Sequence, residues 1–87
     1  MKKVIEEIVT NEVEVSLPYY SVSGDLFYCI HSEMSCTQIC AGKGYERIGW
    51  TAPENALTML CTEISKNIFE KEFEIVLTII KNKIYAR

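Results

Sequence analysis

Most of the chain's cysteines and its only histidine crowd into one short stretch, and these are the residues best suited to chemistry. Cys29, His31, Cys36 and Cys40 fall within twelve residues, and Cys61 follows later. Thiolate and imidazole groups are the usual ligands of structural zinc, and a thiolate beside an imidazole can act as a nucleophile. The stretch must therefore be considered as a metal site, a disulfide or a catalytic pair.

The spacing argues against a metal site and against disulfides. The stretch contains no Cys-x-x-Cys pair. In a strand, Cys36 and Cys40 lie about 13 Å apart, too far for both sulfurs to reach one zinc through bonds of about 2.3 Å. In the expected hairpin register no cysteine faces another, and a reducing cytoplasm keeps thiols free. We predict reduced cysteines, no bound metal and no cofactor.

A catalytic role for the same residues is also disfavoured. Cys36 is expected to face His31 across a hairpin, but a nucleophile needs a cleft and an oxyanion hole, which a flat sheet does not supply. Gly42-Lys43-Gly44 lacks the length and the following Ser or Thr of a phosphate-binding loop, and a strand is expected after it. We therefore predict no catalytic residues and no enzymatic activity.

Length and composition indicate one small domain spanning residues 1–87. The chain is 48% hydrophobic, enough for one modest core, and its net charge of −3 leaves no basic surface for nucleic acid. The longest apolar run, near 75–80, is too short to span a bilayer. Lys2 and Lys3 precede glutamates where a signal peptide would have its apolar region. We expect a cytoplasmic protein with neither membrane nor nucleic-acid partners.

The clearest structural pattern is an amphipathic helix over residues 66–84. Apolar residues recur there at helical spacing, and Ser65 is placed to cap the first turn. Lys81, Lys83 and Arg87 suit the negative end of the helix dipole. The side expected to face a core carries Phe69, Phe73, Val76, Leu77, Ile80 and Ile84.

Two consecutive hairpins are expected between residues 26 and 50. Residues 26–31 and 36–41 pair about a turn at 32–35, and 45–50 returns after a turn at Lys43-Gly44. Pairing residue 28 with 39 and residue 39 with 48 places one set of side chains on a common face, the expected core face. That set is Leu26, Tyr28, Ile30, Thr37, Ile39, Ala41, Ile48 and Trp50.

The remaining segments complete an α+β fold. Residues 12–17 alternate as a half-buried strand does, and 19–25 are expected to be a loop that ends in the turn residues Ser23-Gly24-Asp25. Residues 2–9 fit either a short helix or an extended segment. Residues 51–65 fit a capped short helix or, slightly favoured, a turn and a strand. The prediction is an antiparallel sheet of four to five short strands with one long C-terminal amphipathic helix packed on one face.

The second face of this sheet is expected to be an interface. It would carry Phe27, Cys29, His31, Cys36, Gln38, Cys40, Tyr45 and Arg47. One helix covers only one face, and a face that is neither fully apolar nor charged must meet the rest of the chain, a second subunit or a target. We expect another chain to cover it. The candidate binding residues are Phe27, Cys40, Tyr45 and Arg47, with Tyr19 and Tyr20 in the adjoining loop.

Three short segments resemble a known group of proteins. They are Leu17-Pro18-Tyr19-Tyr20, Phe27-Tyr28-Cys29-Ile30, and Glu63-Ile64-Ser65 ahead of Phe69 and Phe73. In this arrangement the chain resembles small uncharacterised α+β proteins encoded by gut anaerobes and their phages. The resemblance implies a sheet-plus-helix fold and an origin in a mobile element, and it brings no catalytic residues.

Three hypotheses about function follow. The leading one is a non-catalytic interaction module, in concrete form a phage or mobile-element protein that binds and inhibits a host protein such as a defence component. The second is a small oligomeric protein that sequesters a ligand such as a nucleotide between subunits, with Arg47, Lys43 and the tyrosines as contacts. The third is a minor structural or assembly protein.

Overall fold

The computed structural model describes residues 1–6 and 11–85. Within them, two antiparallel sheets and a long helix confirm the predicted α+β class. A separate hairpin is formed by β1 (Lys2–Glu6) and β2 (Asn11–Glu14). The main sheet contains β3 (Tyr19–Ser23), β4 (Leu26–Ser32), β5 (Ser35–Cys40), β6 (Arg47–Thr51) and β7 (Thr62–Glu63), in the spatial order β6-β5-β4-β3-β7.

The helix α1 (Lys66–Tyr85) has the predicted bounds to within one residue at its end. Its first turn is capped as predicted, because Ser65 Oγ accepts the Ile68 N–H at 3.2 Å. Phe69 and Val76 are buried, whereas Ile84 is 55% exposed, contrary to the prediction. The 20 residues of α1 span about 30 Å, longer than the roughly 19 Å across five strands, so the last turn extends past the sheet.

The pairing of β4 with β5 differs from the prediction by one residue. Ser32 does face Ser35 across the turn, but an irregularity between Ile30 and Ser32 shifts the rest of the ladder. Tyr28 consequently pairs with Gln38, not with residue 39. Since side chains alternate between faces, this bulge moves every predicted core residue of β4 to the other side of the sheet.

The face covered by α1, termed the helix face, contains a mixed set of predicted and unpredicted residues. Ile39 and Ile48 lie under the helix as expected, and the β5–β6 register matches the prediction. Phe27 and Cys29 are there as well, although the prediction placed them on the second face. The cluster on this face comprises Cys29, Ile39, Phe69 and Val76, packed with Tyr20, Phe27, Ala41, Ile48, Ile64, Phe73 and Ile80.

The opposite face, termed the rear face, is covered by other segments of the same chain among the described residues, which is the first of the three covers considered for the predicted second face. The Ser21 hydroxyl, fully buried, donates to the Ala56 carbonyl at 2.8 Å and fixes a 3-10 turn (Pro53–Ala56) against the sheet. The rear cluster comprises Tyr19, Tyr28, Ile30, Cys36, Ala56, Leu57 and Cys61, with Met1, Val15, Leu17 and Leu26 packed against it. Leu26, Tyr28 and Ile30 were predicted to face α1 and face this cluster instead.

In several shorter segments the structure differs from the prediction in detail. Residues 19–23 form β3, not a loop, because the predicted turn at Gly24-Asp25 is a two-residue hairpin turn with Gly24 at a φ of +59°. Lys2–Glu6 is extended, while residues 7–10 lie outside the described part of the chain. The 51–65 segment combines both alternatives, a 3-10 turn followed by the two-residue β7.

We predict that Phe69→Ala lowers the free energy of unfolding by about 3–5 kcal/mol, because it empties a buried site between α1 and the sheet. Ile84→Ala, on the same helix but exposed, is expected to change it by about 0.5 kcal/mol or less. Urea unfolding followed by circular dichroism measures both. Equal effects of the two substitutions would contradict the observed helix face.

Candidate interaction surface at the free sheet edge

The structure disperses the cysteines and does not gather them around His31. Cys29 lies on the helix face, Cys36 and Cys61 lie in the rear cluster, and Cys40 is half-buried at the end of β5. Cys36 pairs with Ile30 and not with His31. Among the described residues, no group of three or more His, Cys, Asp or Glu side chains is placed to hold a metal ion.

His31 makes its contacts with a different cysteine from the one predicted. Its Nδ1 lies 3.6 Å from Cys29 Sγ, and its Nε2 lies 2.7 Å from Thr37 Oγ1. Burial raises the pKa of the Cys29 thiol, and burial raises that of Cys36 to about 11. A nucleophilic cysteine needs a lowered pKa, so the environment of these thiols favours the inert protonated form.

We predict that a thiol reagent at pH 8 modifies Cys40 first in the native protein. Cys29, Cys36 and Cys61 are buried and are expected to react only as fast as the chain opens. Mass spectrometry of timed alkylation, with urea-unfolded protein as the control, separates the sites. Labelling of Cys29 as fast as Cys40 would show an activated thiol and contradict this assignment.

Among the described residues, β6 is an edge strand with a neighbouring strand on one side only. Its turn from β5 is closed by the Tyr45 N–H, which donates to the Gly42 carbonyl at 2.8 Å. Hydrogen-bonded and non-bonded residue pairs alternate along an antiparallel ladder. Counting along the register from the hydrogen-bonded pair Gly42–Tyr45, the β6 residues that bond to β5 are Arg47, Gly49 and Thr51. Ile48 and Trp50 must therefore direct their backbone N–H and C=O groups outward, to the open edge.

Large side chains surround this open edge. Trp50 is 77% exposed and Tyr45 is 79% exposed, and the Trp50 ring meets only the His31 ring edge-on at 6.3 Å among the described aromatic contacts. Arg47 is exposed at the start of the strand, and Gly49 leaves open space where a side chain would stand. Tryptophan, tyrosine and arginine are the residues that dominate protein-binding energies.

The two edges of the main sheet differ in a way that singles out β6. The edge strand β7 has only two residues. Natural proteins protect sheet edges with short strands, charges, prolines or bulges. β6 has five residues and only one charge, Arg47 at its first position. Its open edge is therefore the longer and less protected of the two.

An ion pair fixes the end of α1 beside the start of β6. Lys83 Nζ lies 2.6 Å from Glu46 Oε1, while Glu46 Oε2 accepts the Gly44 N–H at 3.2 Å. The Lys83 hydrogen bond, followed by backbone N–H groups, lowers the pKa of Glu46 from 4.5 to about 2. The exposed Ile84 and Tyr85 directly follow Lys83, so the pair brings them to this end of the sheet.

The lowered pKa of Glu46 predicts how the free energy of unfolding depends on pH. A carboxyl group with a lowered folded-state pKa stabilises the fold fully above its ordinary value of 4.5 and loses that contribution as pH falls toward 2. Glu46→Gln should therefore reduce the loss of stability between pH 5 and 2, as measured by urea unfolding. Glu74→Gln, at an exposed site on α1, is the control and should follow the wild type. An unchanged profile for Glu46→Gln would mean that the ion pair does not form in solution.

The structure separates the six candidate binding residues. Tyr45 and Arg47 lie at the β6 edge, and Cys40 pairs with Arg47 on the rear face. Phe27 and Tyr20 pack beneath α1, where the Tyr20 and Phe69 rings are 5.4 Å apart, and Tyr19 is buried in the rear cluster. Of the tyrosines proposed to hold a nucleotide with Arg47 and Lys43, Tyr19 and Tyr20 lie on β3, across the sheet from these basic residues, and Tyr45 alone lies beside them.

Sequence reasoning missed Trp50 as a surface residue. Its alternation with Ile48 correctly placed it on the helix face, and it was therefore counted in the core. The signal against that assignment was its position in the last strand of a run of hairpins. Such a strand is an edge unless another segment pairs with it, and the side chain at its far end extends beyond the cover of a single helix.

Two open clefts lie away from the β6 edge. One, of about 370 Å³, is lined by Met1, Lys2, Glu33, Glu54, Leu57 and Thr58. The other, of about 530 Å³, lies beside Lys3, whose ammonium group donates to the Cys61 carbonyl at 2.6 Å and to the Tyr19 hydroxyl at 3.2 Å. Neither cleft is lined by a cysteine or by His31.

No helix within the described residues is both long enough and apolar enough to cross a membrane. Comparison with protein-family models, with curated proteins and with solved structures finds no match for this chain. The surface at the β6 edge is consequently interpreted from its own residues.

Proposed function

We propose that this protein is a non-catalytic interaction module that binds another protein chain along the free edge of β6. The observation that carries the proposal is an exposed Trp50 on a strand whose outward backbone groups have no strand partner within residues 1–6 and 11–85. An added strand would hydrogen-bond to Ile48 and Trp50, and Trp50 and Tyr45 would supply apolar contact. Strand addition of this kind derives affinity from the main chain and specificity from alternate side chains.

The chemistry of this edge favours a protein over a small ligand or a nucleic acid. Small molecules bind in concave sites that bury most of their surface, whereas neither of the two clefts described above is lined by a residue of β6. Nucleic acids need a basic surface, and the chain has a net charge of −3 with Arg47 as the single charge on β6. Only another polypeptide backbone matches both the hydrogen-bonding groups and the aromatic side chains.

The biological setting in this proposal comes from the resemblance described above. A phage or mobile-element protein in the cytoplasm of a host cell can inhibit a host protein simply by occupying a surface that the host protein needs. Such an inhibitor requires an accessible binding edge on a stable domain and no catalytic residues. The proposed site meets that requirement with five consecutive residues of β6.

We predict that Trp50→Lys weakens binding to the partner by roughly tenfold or more, because it removes an aromatic anchor and places a charge on the edge. Met34→Lys is the matched control, since Met34 is 91% exposed in the β4–β5 turn and is not part of β6. Tagged wild-type and variant proteins are compared for proteins captured from host lysate, quantified by mass spectrometry. Circular dichroism checks that both variants remain folded.

The comparison between the two variants decides the outcome. A captured protein that is lost with Trp50→Lys and retained with Met34→Lys supports the β6 edge as the site. Equal retention by both variants would contradict it and would move the search to other exposed apolar residues, such as Leu60.

A further inference from the structure

We propose that β6 binds a second copy of this chain, pairing antiparallel with β6 of that copy about a two-fold axis at Gly49. This inference rests on the proposed function, because it assigns an occupant to the same edge. The two main sheets would join into one continuous sheet through their β6 strands. The register and the side chains of β6 both support a copy of itself as the occupant.

Hydrogen bonding restricts the register first. Only Ile48 and Trp50 direct backbone groups outward, so each bonded pair across the interface must join two such residues. Pairing Ile48 with Ile48 would bring Trp50 opposite Glu46, and pairing Trp50 with Trp50 would bring Ile48 opposite Ala52. Both Glu46 and Ala52 lie outside the strand. Pairing Ile48 with Trp50 of the copy is the register that bonds all the outward groups within both strands.

The side chains fit this register. Ile48 and Trp50 lie on the helix face, so each Trp50 ring would cover an Ile48 of the other copy, an aromatic–β-branched pair of the kind that stabilises sheets. Gly49 would face Gly49 at the non-bonded position, where strands approach most closely and a side chain would crowd the axis. The same strand supplies both halves of every contact, as a two-fold interface requires.

The charged residue of β6 is also compatible with this register. Arg47 would face Thr51 of the copy and would not meet the other Arg47, so no like charges meet across the axis.

The size of the edge indicates a reversible dimer. Stable interfaces bury about 1,600 Å² in total, more than a five-residue strand provides alone. Tyr45 and the exposed end of α1 at Ile84 and Tyr85 would enlarge the contact. We expect a dissociation constant of roughly micromolar magnitude, within reach of ordinary solution measurements.

The test is sedimentation velocity from about 1 µM to about 500 µM, with tryptophan emission recorded in parallel. Trp50 is the only tryptophan of the chain, so its emission reports this interface directly. We expect the mass to rise toward that of a dimer, the emission to shift to the blue and acrylamide quenching to fall. Trp50→Lys should remain monomeric, and Met34→Lys should dimerise as the wild type does.

Gly49 tests the register itself. Gly49→Val should weaken the dimer roughly tenfold or more, because two side chains would crowd the axis, whereas the open space around Gly49 lets the monomer accept the change. Circular dichroism confirms that the variant is folded. A Gly49→Val dimer as tight as that of the wild type would overturn the proposed arrangement.

Two further outcomes separate this inference from the proposed function. A wild type that stays monomeric, or a dimer that survives Trp50→Lys, overturns the second copy as the occupant of β6. The proposed function then stands if Trp50→Lys still loses a captured protein that Met34→Lys retains. If neither self-association nor protein capture depends on Trp50, both the proposed function and the proposed dimer are overturned.

Discussion

The main sheet is apolar on both faces of its central strands, and the rest of the chain is arranged to satisfy that constraint. Ile30 and Ile39 are each fully buried, and they project from opposite faces. Leaving either face open would expose a contiguous apolar patch, which small proteins avoid unless it binds something. With one sheet of five strands, the chain must supply two covers. It uses α1 on one side and the N-terminal segment with the 3-10 turn on the other.

Closing both faces leaves the edges as the places where the chain can recognise another molecule through its main chain. The Ser21–Ala56 hydrogen bond holds the rear cover in place, and the Glu46–Lys83 pair holds the end of α1. In the described part of the chain, both covers lie over the faces and leave the outward backbone groups of β6 unpaired. A strand edge in this state either pairs with another chain or is a liability for aggregation. The partner proposed for β6 would therefore also remove that liability.

Local patterns in the sequence predicted the elements better than their pairing. The helix, its Ser65 cap and the Lys43-Gly44 turn all follow from residue types within a few positions of one another, and each was confirmed. The bulge near His31 has no comparable local signature, yet it alone reversed the faces of β4. The candidate site depended on those faces. Tyr45 and Arg47 lie together at the β6 edge, because the β5–β6 register was predicted correctly. Phe27 lies beneath α1 instead, because the β4–β5 register was not.

The edge and the core are physically coupled, which bears on why an exposed tryptophan is tolerated in so small a domain. Glu46, directly before β6, pairs with Lys83 in the last turn of α1, and α1 covers the helix face. A chain bound along β6 would order the strand, and through this pair it would also hold the end of the helix. A partner that binds only the folded state raises its stability by mass action. In a domain of 87 residues, whose core is modest, the proposed partner would therefore add to the stability of the fold.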